Sequence, residues 1–290
     1  MDERDWLMLK VLFEKKNITK AAQSLYISQP TLTKRLQQIE KKFDVILVQR
    51  GTKGIQFTPQ GEFLAKCAEE MLQRLRQIRE TVDNMAQEVR GTLRLGVSNY
   101  FTRHKLPKLL KQFQQRFPQV EYQVITGWSH DVYQLVYNRE VHVGIVRGDY
   151  SWSDGKQLLF EEHICVASKE KIELADLPAR PRIEYEKDLL MKAMIDDWWH
   201  EMFSQPPYIA MEVDKSDTCK EMVVNGLGYA ILASVLLNQH DQLYQIRLTD
   251  RAGEPIVRRT WMLYQQQSRQ LKMVDEFVRF VGQVDFVHDL

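Results

Sequence analysis

The sequence predicts an α/β chain in three parts: a small helical head closed by a hairpin, one long helix, and a body of alternating strands and helices. Three observations carry this. Apolar residues recur at helical spacing through the first 45 positions, then give way to an apolar, glycine-punctuated basic, apolar run at 45–58. From Leu64 to Val89 they fall at steps of 4 and 3 without a break. Beyond Gly91 short apolar runs alternate with amphipathic ones, as βαβ units do.

A length of 290 residues gives room for two ordinary domains or three small ones, and 44% apolar content argues against a disordered chain. No run approaches the roughly 18 apolar residues of a membrane span. The start, Met1-Asp2-Glu3-Arg4-Asp5, is unlike a secretory leader, so the expected location is the cytoplasm, away from any membrane. Cys67, Cys165 and Cys219 are widely spaced and form no CxxC pair, which points to reduced structural thiols and to no metal or other cofactor. The net charge of +1 hides an asymmetry. Residues 1–58 hold 11 Lys and Arg against 6 Asp and Glu, and the rest hold 29 against 33. A basic head on an acidic body directs only the head towards a polyanion.

In the head, Trp6, Leu9 and Phe13 define a first helix. Thr19 is the expected cap of a short second one carrying Ala21, Ala22 and Leu25, and Tyr26-Ile27 form a tight turn. Ser28 caps a third helix, with Pro30 in its first turn and Leu32, Leu36, Ile39 and Phe43 as its expected buried face. Its other face carries Gln29, Thr31, Thr33, Lys34, Arg35 and Gln37. Amides and hydroxyls reach base edges in a major groove, and cations neutralise phosphates. Val45–Val48 and Ile55–Thr58 are the expected strands of a hairpin tipped by Arg50-Gly51-Thr52-Lys53-Gly54, the wing of a winged helix-turn-helix.

The run from Lys20 to Thr33, then Ile39-Glu40, Leu47, Arg50 and Thr58-Pro59-Gln60-Gly61, strongly resembles the head of LysR-type transcription regulators in residue type and spacing. Three positions depart from the family's habit: Asp44 stands where glycine is frequent, Val48 where phenylalanine is, and Thr31 where alanine is. The resemblance implies double-stranded operator DNA as partner, with Gln29, Pro30, Thr31 and Thr33 in the major groove. It puts Lys34 and Arg35 nearer the phosphates, and Arg50 and Lys53 on the backbone or minor groove.

The 59–89 stretch carries its apolar seam at Leu64, Ala68, Met71, Leu75, Ile78, Val82, Met85 and Val89. Thirty residues at 1.5 Å each make a helix of about 45 Å. So long a strict seam is expected to pair with its copy in a second subunit. Two heads in fixed relation then read a two-fold-related site. The family resemblance further implies a tetramer.

In the body, strands are expected at 92–97, 120–126, 141–146, 158–167, 208–213, 229–232 and 261–264. Helices are expected at 102–117, 129–138, 216–225 and 267–281. The sheet should be mainly parallel, and its ligands should sit past strand ends, against helix starts. Ser98-Asn99-Tyr100, Ser129, Arg147-Gly148, Ser216 and Thr218 stand at such places, and Arg258 and Arg259 stand near where the chain is expected to cross back to the first lobe. Serine before a helix is commonly just a cap and a lone arginine commonly a surface residue, but as a set these groups suit a carboxylate ligand. This half also resembles the LysR-type effector domain, which implies two Rossmann-like lobes similar to periplasmic binding proteins. Among such domains it is most similar to that of a citrate-responsive member. That likeness implies Ser98, Tyr100, Arg147 and Arg258 as ligand residues, and citrate or a related carboxylate as effector. An amino acid or aromatic acid is the alternative. Many members have proline where Ala233 stands.

The expected domains are thus 1–58, a winged helix-turn-helix, 59–89, a dimerising linker helix, and 90–290, an effector domain. Its lobe one covers about 90–160 and 264–290, and its lobe two about 161–263. An enzyme is not expected. His104, His130, His142, His163 and His200 have no nucleophile partner at a diagnostic spacing, and GxSxG, HExxH and Walker motifs are absent. Asp196 and Asp197, adjacent on a helix, point to different faces.

Overall fold

The computed structural model describes residues 1–51 and 54–286, and its first helix begins where two carboxylates cap it. Asp2 accepts the Asp5 backbone N–H while Asp5 accepts that of Asp2, which satisfies two donors at the start of α1 (Glu3–Lys15). Helix α2 (Ile18–Ser24) starts two residues earlier than expected. Asn17, not Thr19, is its cap, accepting the Lys20 N–H at 3.0 Å. Ser28 caps α3 (Gln29–Phe43) as expected, with Pro30 in the first turn. Leu9, Leu12, Ala21, Leu32 and Leu36 lie in the core of this unit, Met1–Gln87. Phe43 does not: it is 43% exposed, because it ends α3 where no neighbouring element covers it. Asp44 then turns the chain at φ 54°, ψ 45°. That left-handed conformation explains glycine's place in the resembling sequences, and aspartate is among the few side chains that visit it.

The wing is shifted relative to expectation. Strand β1 (Val48–Gly51) pairs antiparallel with β2 (Gly54–Phe57), whereas 45–47 form no strand. Glu40 takes their partners' place. Its carboxylate accepts the Leu47 N–H at 2.8 Å and its carbonyl accepts that of Val45 at 3.1 Å. Helix α4 (Pro59–Asn84) is capped by Thr58 and passes so close to the preceding segment that a Cβ on Gly61 would lie 2.1 Å from the Leu47 carbonyl oxygen. Leu64 and Ala68 of its seam join the core of the head, while Met71, Ile78, Val82 and Met85 are exposed. The helix stops short of Val89, which packs on the core of the second unit, Glu88–Leu290.

In that unit β3 (Gly91–Ser98) is followed by α5 (Asn99–His104) and α6 (Leu106–Arg116) rather than one helix. Pro107 is the reason. It lacks an N–H and its ring would clash with the carbonyl four residues back, so a new helix must start just before it. Next come β4 (Val120–Gly127), α7 (Ser129–Tyr137), β5 (Val143–Arg147) and the 14-residue β6 (Gly155–Ser168). The second lobe adds β7 (Arg182–Tyr185), α8 (Leu189–Met202), β8 (Ile209–Val213), α9 (Ser216–Val224), β9 (Ala230–Ala233) and β10 (Tyr244–Arg247). The chain returns through β11 (Val257–Tyr264) to α10 (Lys272–Val281).

The sheet order is β10-β6-β11-β5-β3-β4, with β9 also on β6. It is mixed, not mainly parallel. β3 pairs parallel with β4 and β5, but β11 runs antiparallel to both β5 and β6. The long strand β6 runs through two cores, with Phe160 in the first and Ile164 and Val166 in the second. One core holds Leu93, Leu95, Phe101, Phe113, Met262 and Phe277, and the other Ile164, Val166, Trp198, Trp199 and Tyr229. Among the described residues no helix is long and apolar enough to cross a membrane.

Candidate functional site

Two surfaces gather the residues that the sequence singles out. On α3, Gln29, Pro30, Thr31 and Lys34 are exposed, and Thr33 is half-buried. The Thr19 hydroxyl donates to Gln29 Oε1 at 3.2 Å, and the Ser28 and Thr31 hydroxyls lie 2.7 Å apart, so the first turn of α3 is organised before it meets anything. Arg35, expected near the phosphates, is also engaged within the head. Its guanidinium binds Asp2 at 2.6 Å and also Asp5, which is 5% exposed, tying α3 to the start of α1. The Asp5 N–H, and then Arg35, hold the Asp2 carboxyl below its ordinary value. Arg50 lies in β1 opposite Ile55, and Lys53 lies outside the described residues.

The second surface is a cavity of about 470 Å³ in the Glu88–Leu290 unit, between its two lobes. Ser98, Tyr100, Ser129, Arg147 and Arg258 all line it. Thr218 does not. Ser216 and Asp217, the two residues just before it at the start of α9, take that wall. Arg259 also points elsewhere, to Glu161 at 2.6 Å and Asp149 at 3.2 Å, since it alternates with Arg258 along β11.

Strand ends set the floor. Arg147 is the last residue of β5, its backbone N–H donating to the Ser129 hydroxyl at 3.0 Å, and Gly148 follows at φ 109°. The Arg147 guanidinium lies 4.3 Å from the centre of the Tyr100 ring and binds Glu162. Arg258 enters from β11, binds Asp188, and donates to the Arg147 carbonyl oxygen at 3.4 Å. Burial first, and then the charge of Arg147, lower the Arg258 guanidinium from its ordinary value. Burial, followed by the Glu162 charge, pushes the Tyr100 phenol up to about 12, so it remains a donor at neutral pH. That hydroxyl donates across the cleft to the Val235 carbonyl oxygen at 3.4 Å. Among the described residues Ser98 Oγ, Arg147 Nε, Arg258 Nε and Glu162 Oε2 are buried without a hydrogen-bond partner. Buried polar groups are rarely left so. Such a floor can grip a small anion through two guanidinium groups and a hydroxyl.

Sequence reasoning did not single out Glu162 or Asp188. A signal for each exists. Glu162 is a carboxylate within the apolar run of β6, directly opposite Arg258 in the strand register. Asp188 precedes the apolar face of α8 as its cap, accepting the Met191 N–H at 3.0 Å.

Two family models match the chain: bacterial regulatory helix-turn-helix protein, lysR family, over residues 4–62, and LysR substrate binding domain over residues 86–285. The chain is 44% identical over 281 residues, covering 97% of each chain, to the uncharacterized HTH-type transcriptional regulator YraN of Bacillus subtilis (strain 168). To the uncharacterized HTH-type transcriptional regulator YkuM of the same organism it is 37% identical over 276 residues, covering 94% of each. Both names are those of regulators, not of enzymes, and neither states an effector. Among solved structures it superposes on the full-length Vibrio cholerae virulence activator AphB with a TM-score of 0.65 at 16% identity, covering 99% of this chain and 100% of that one. On full-length CbnR complexed with target DNA the TM-score is 0.66 at 19% identity, covering 98% and 99%. At these identities the likeness is one of fold.

Proposed function

The chain belongs to the LysR family of DNA-binding transcription regulators, and from that premise we propose that citrate or a related di- or tricarboxylate controls its binding to operator DNA. The observation that carries the reading is the pair Arg147 and Arg258, both buried on the floor of one 470 Å³ cavity whose Ser98 hydroxyl also lacks a partner. Paired guanidinium groups suit carboxylates because each offers a planar fork of donors. A likeness of segments such as Val146-Arg147-Gly148 to catabolite control protein E, a citrate-responsive member, supports citrate within that class.

In this reading Gln29, Pro30, Thr31 and Thr33 meet bases in the major groove. Lys34, with Arg50 and Lys53 of the wing, meets the phosphates. The α4 helices of two subunits pair through Met71, Ile78 and Val82, with Met85 just past the helix end, dimers associate into tetramers, and the protein works in the cytoplasm. Ligand drawing the lobes together changes how subunits pack and so the spacing of the heads. Effector and operator must then alter each other's affinity by the same factor.

The test is the affinity of the full chain for a duplex selected from random DNA, measured with and without citrate. Arg147→Ala should lose the citrate response and keep the affinity measured without it; a normal response in that variant would refute the cleft assignment. A second reading, an amino-acid effector, is favoured by Asp188, Asp214 and Asp217, which all line the cavity and suit an ammonium group.

A further inference from the structure

The carboxylates of the cleft divide into one that is fixed and one that can leave. Glu162, on β6, has a fully buried side chain, is not part of the cavity lining, and holds Arg147. Asp188 lines the cavity from the irregular segment between β7 and α8, and its side chain is 9% exposed. Its two oxygens do different work. Oδ1 accepts the Met191 N–H that starts α8, and Oδ2 accepts Arg258. Two arginines and two carboxylates already balance in charge. A carboxylate added beside these buried side chains brings a charge that the two pairs do not offset, unless an internal carboxylate withdraws.

We infer that Asp188 is a built-in competitor, holding Arg258 in the place that the carboxylate of the effector takes. This rests on the anionic-effector reading above and adds how the site is regulated. Entry of the ligand breaks the Asp188–Arg258 contact alone. Oδ1 stays on Met191, so α8 keeps its cap while the loop before it is released from the β11 side of the cleft. The competition makes the site selective: a ligand with a single weak contact to Arg258 does not displace Asp188, whereas one that also reaches Arg147 and Ser98 does.

The experiment uses the full chain and two variants, Asp188→Asn and Asp188→Ser. Both residues cap helices as well as aspartate does, or nearly so, and both remove the competing charge. Citrate binding is read by calorimetry, and thermal stabilisation by sulfate is read in parallel as a probe for any anion. A charged partner outweighs a neutral one by about 1.4 kcal/mol, so both variants should bind citrate about tenfold tighter than the parent. Equal or weaker binding overturns the inference, and weaker binding with glutamate as well would make Asp188 the seat of an ammonium group. If the parent ignores citrate, the citrate reading fails by itself. Sulfate stabilisation gained by both variants and absent from the parent then supports the competitor, and sulfate stabilisation gained by neither overturns it.

Discussion

Lys34 and Arg35 are neighbours on α3, and their surroundings assign them different work. Lys34 is exposed with its ammonium outward, so Lys34→Ala should reduce the slope of log affinity for DNA against log salt by about one unit while leaving stability unchanged. Arg35 is the cation of Asp2 and of the buried Asp5. Arg35→Ala should lower the melting midpoint of the protein, and a melt followed by helical dichroism would register it. The pH dependence has a definite sign. Asp2 is held below its ordinary value of 3.8, so its stabilisation is complete above that value and is lost as pH falls through the lowered folded value. The loss should be shallower in Arg35→Ala. Sequence spacing alone makes the two cations look alike, because both project from the polar face of one helix. What separates them is a pair of aspartates some thirty residues away, which only the packing of α1 on α3 brings near.

Among the elements, α4 leaves the second half of its apolar seam uncovered within one chain. Its first turns bury Leu64 and Ala68, but Ile78 and Val82 remain 49% and 58% exposed, and Met85 76%. Substituting Ile78→Glu and Val82→Glu together should convert the proposed dimer to a monomer in sedimentation and weaken DNA binding with it. Melting of the head should change little. Gly61 is a second test, since any side chain there meets the Leu47 carbonyl. Gly61→Ala should cost about 2–3 kcal/mol by denaturant titration. Most of these elements are legible in the residues: the seam, Ser28 with Pro30, and the alternation of the body. The rest escapes for local reasons. Glu40 satisfies backbone groups that would otherwise look for a strand, Pro107 divides one amphipathic run into two helices, and strand direction depends on the long return of the chain through β11. Spacing does not encode that return.

For the molecule as a whole, the proposed function couples a DNA-reading head to a ligand-binding body through one coupling free energy. Such couplings commonly amount to about 1–3 kcal/mol, or roughly 5–150-fold in affinity. Citrate should therefore shift operator affinity by a factor in that range, and operator duplex should shift citrate affinity by the same factor. The arginines of the cleft can be found in the sequence, Arg147 at the end of an apolar strand and Arg258 where the chain crosses back to the first lobe. Their carboxylate partners lie 15 and 70 residues away in sequence and meet them only in the folded unit. The most direct measurement is calorimetric titration of the full chain with citrate, beside isocitrate, succinate and an amino acid. The expected result is saturable binding of citrate that Arg147→Ala and Arg258→Ala each abolish. No binding of any carboxylate, or citrate binding that survives both substitutions, would contradict it.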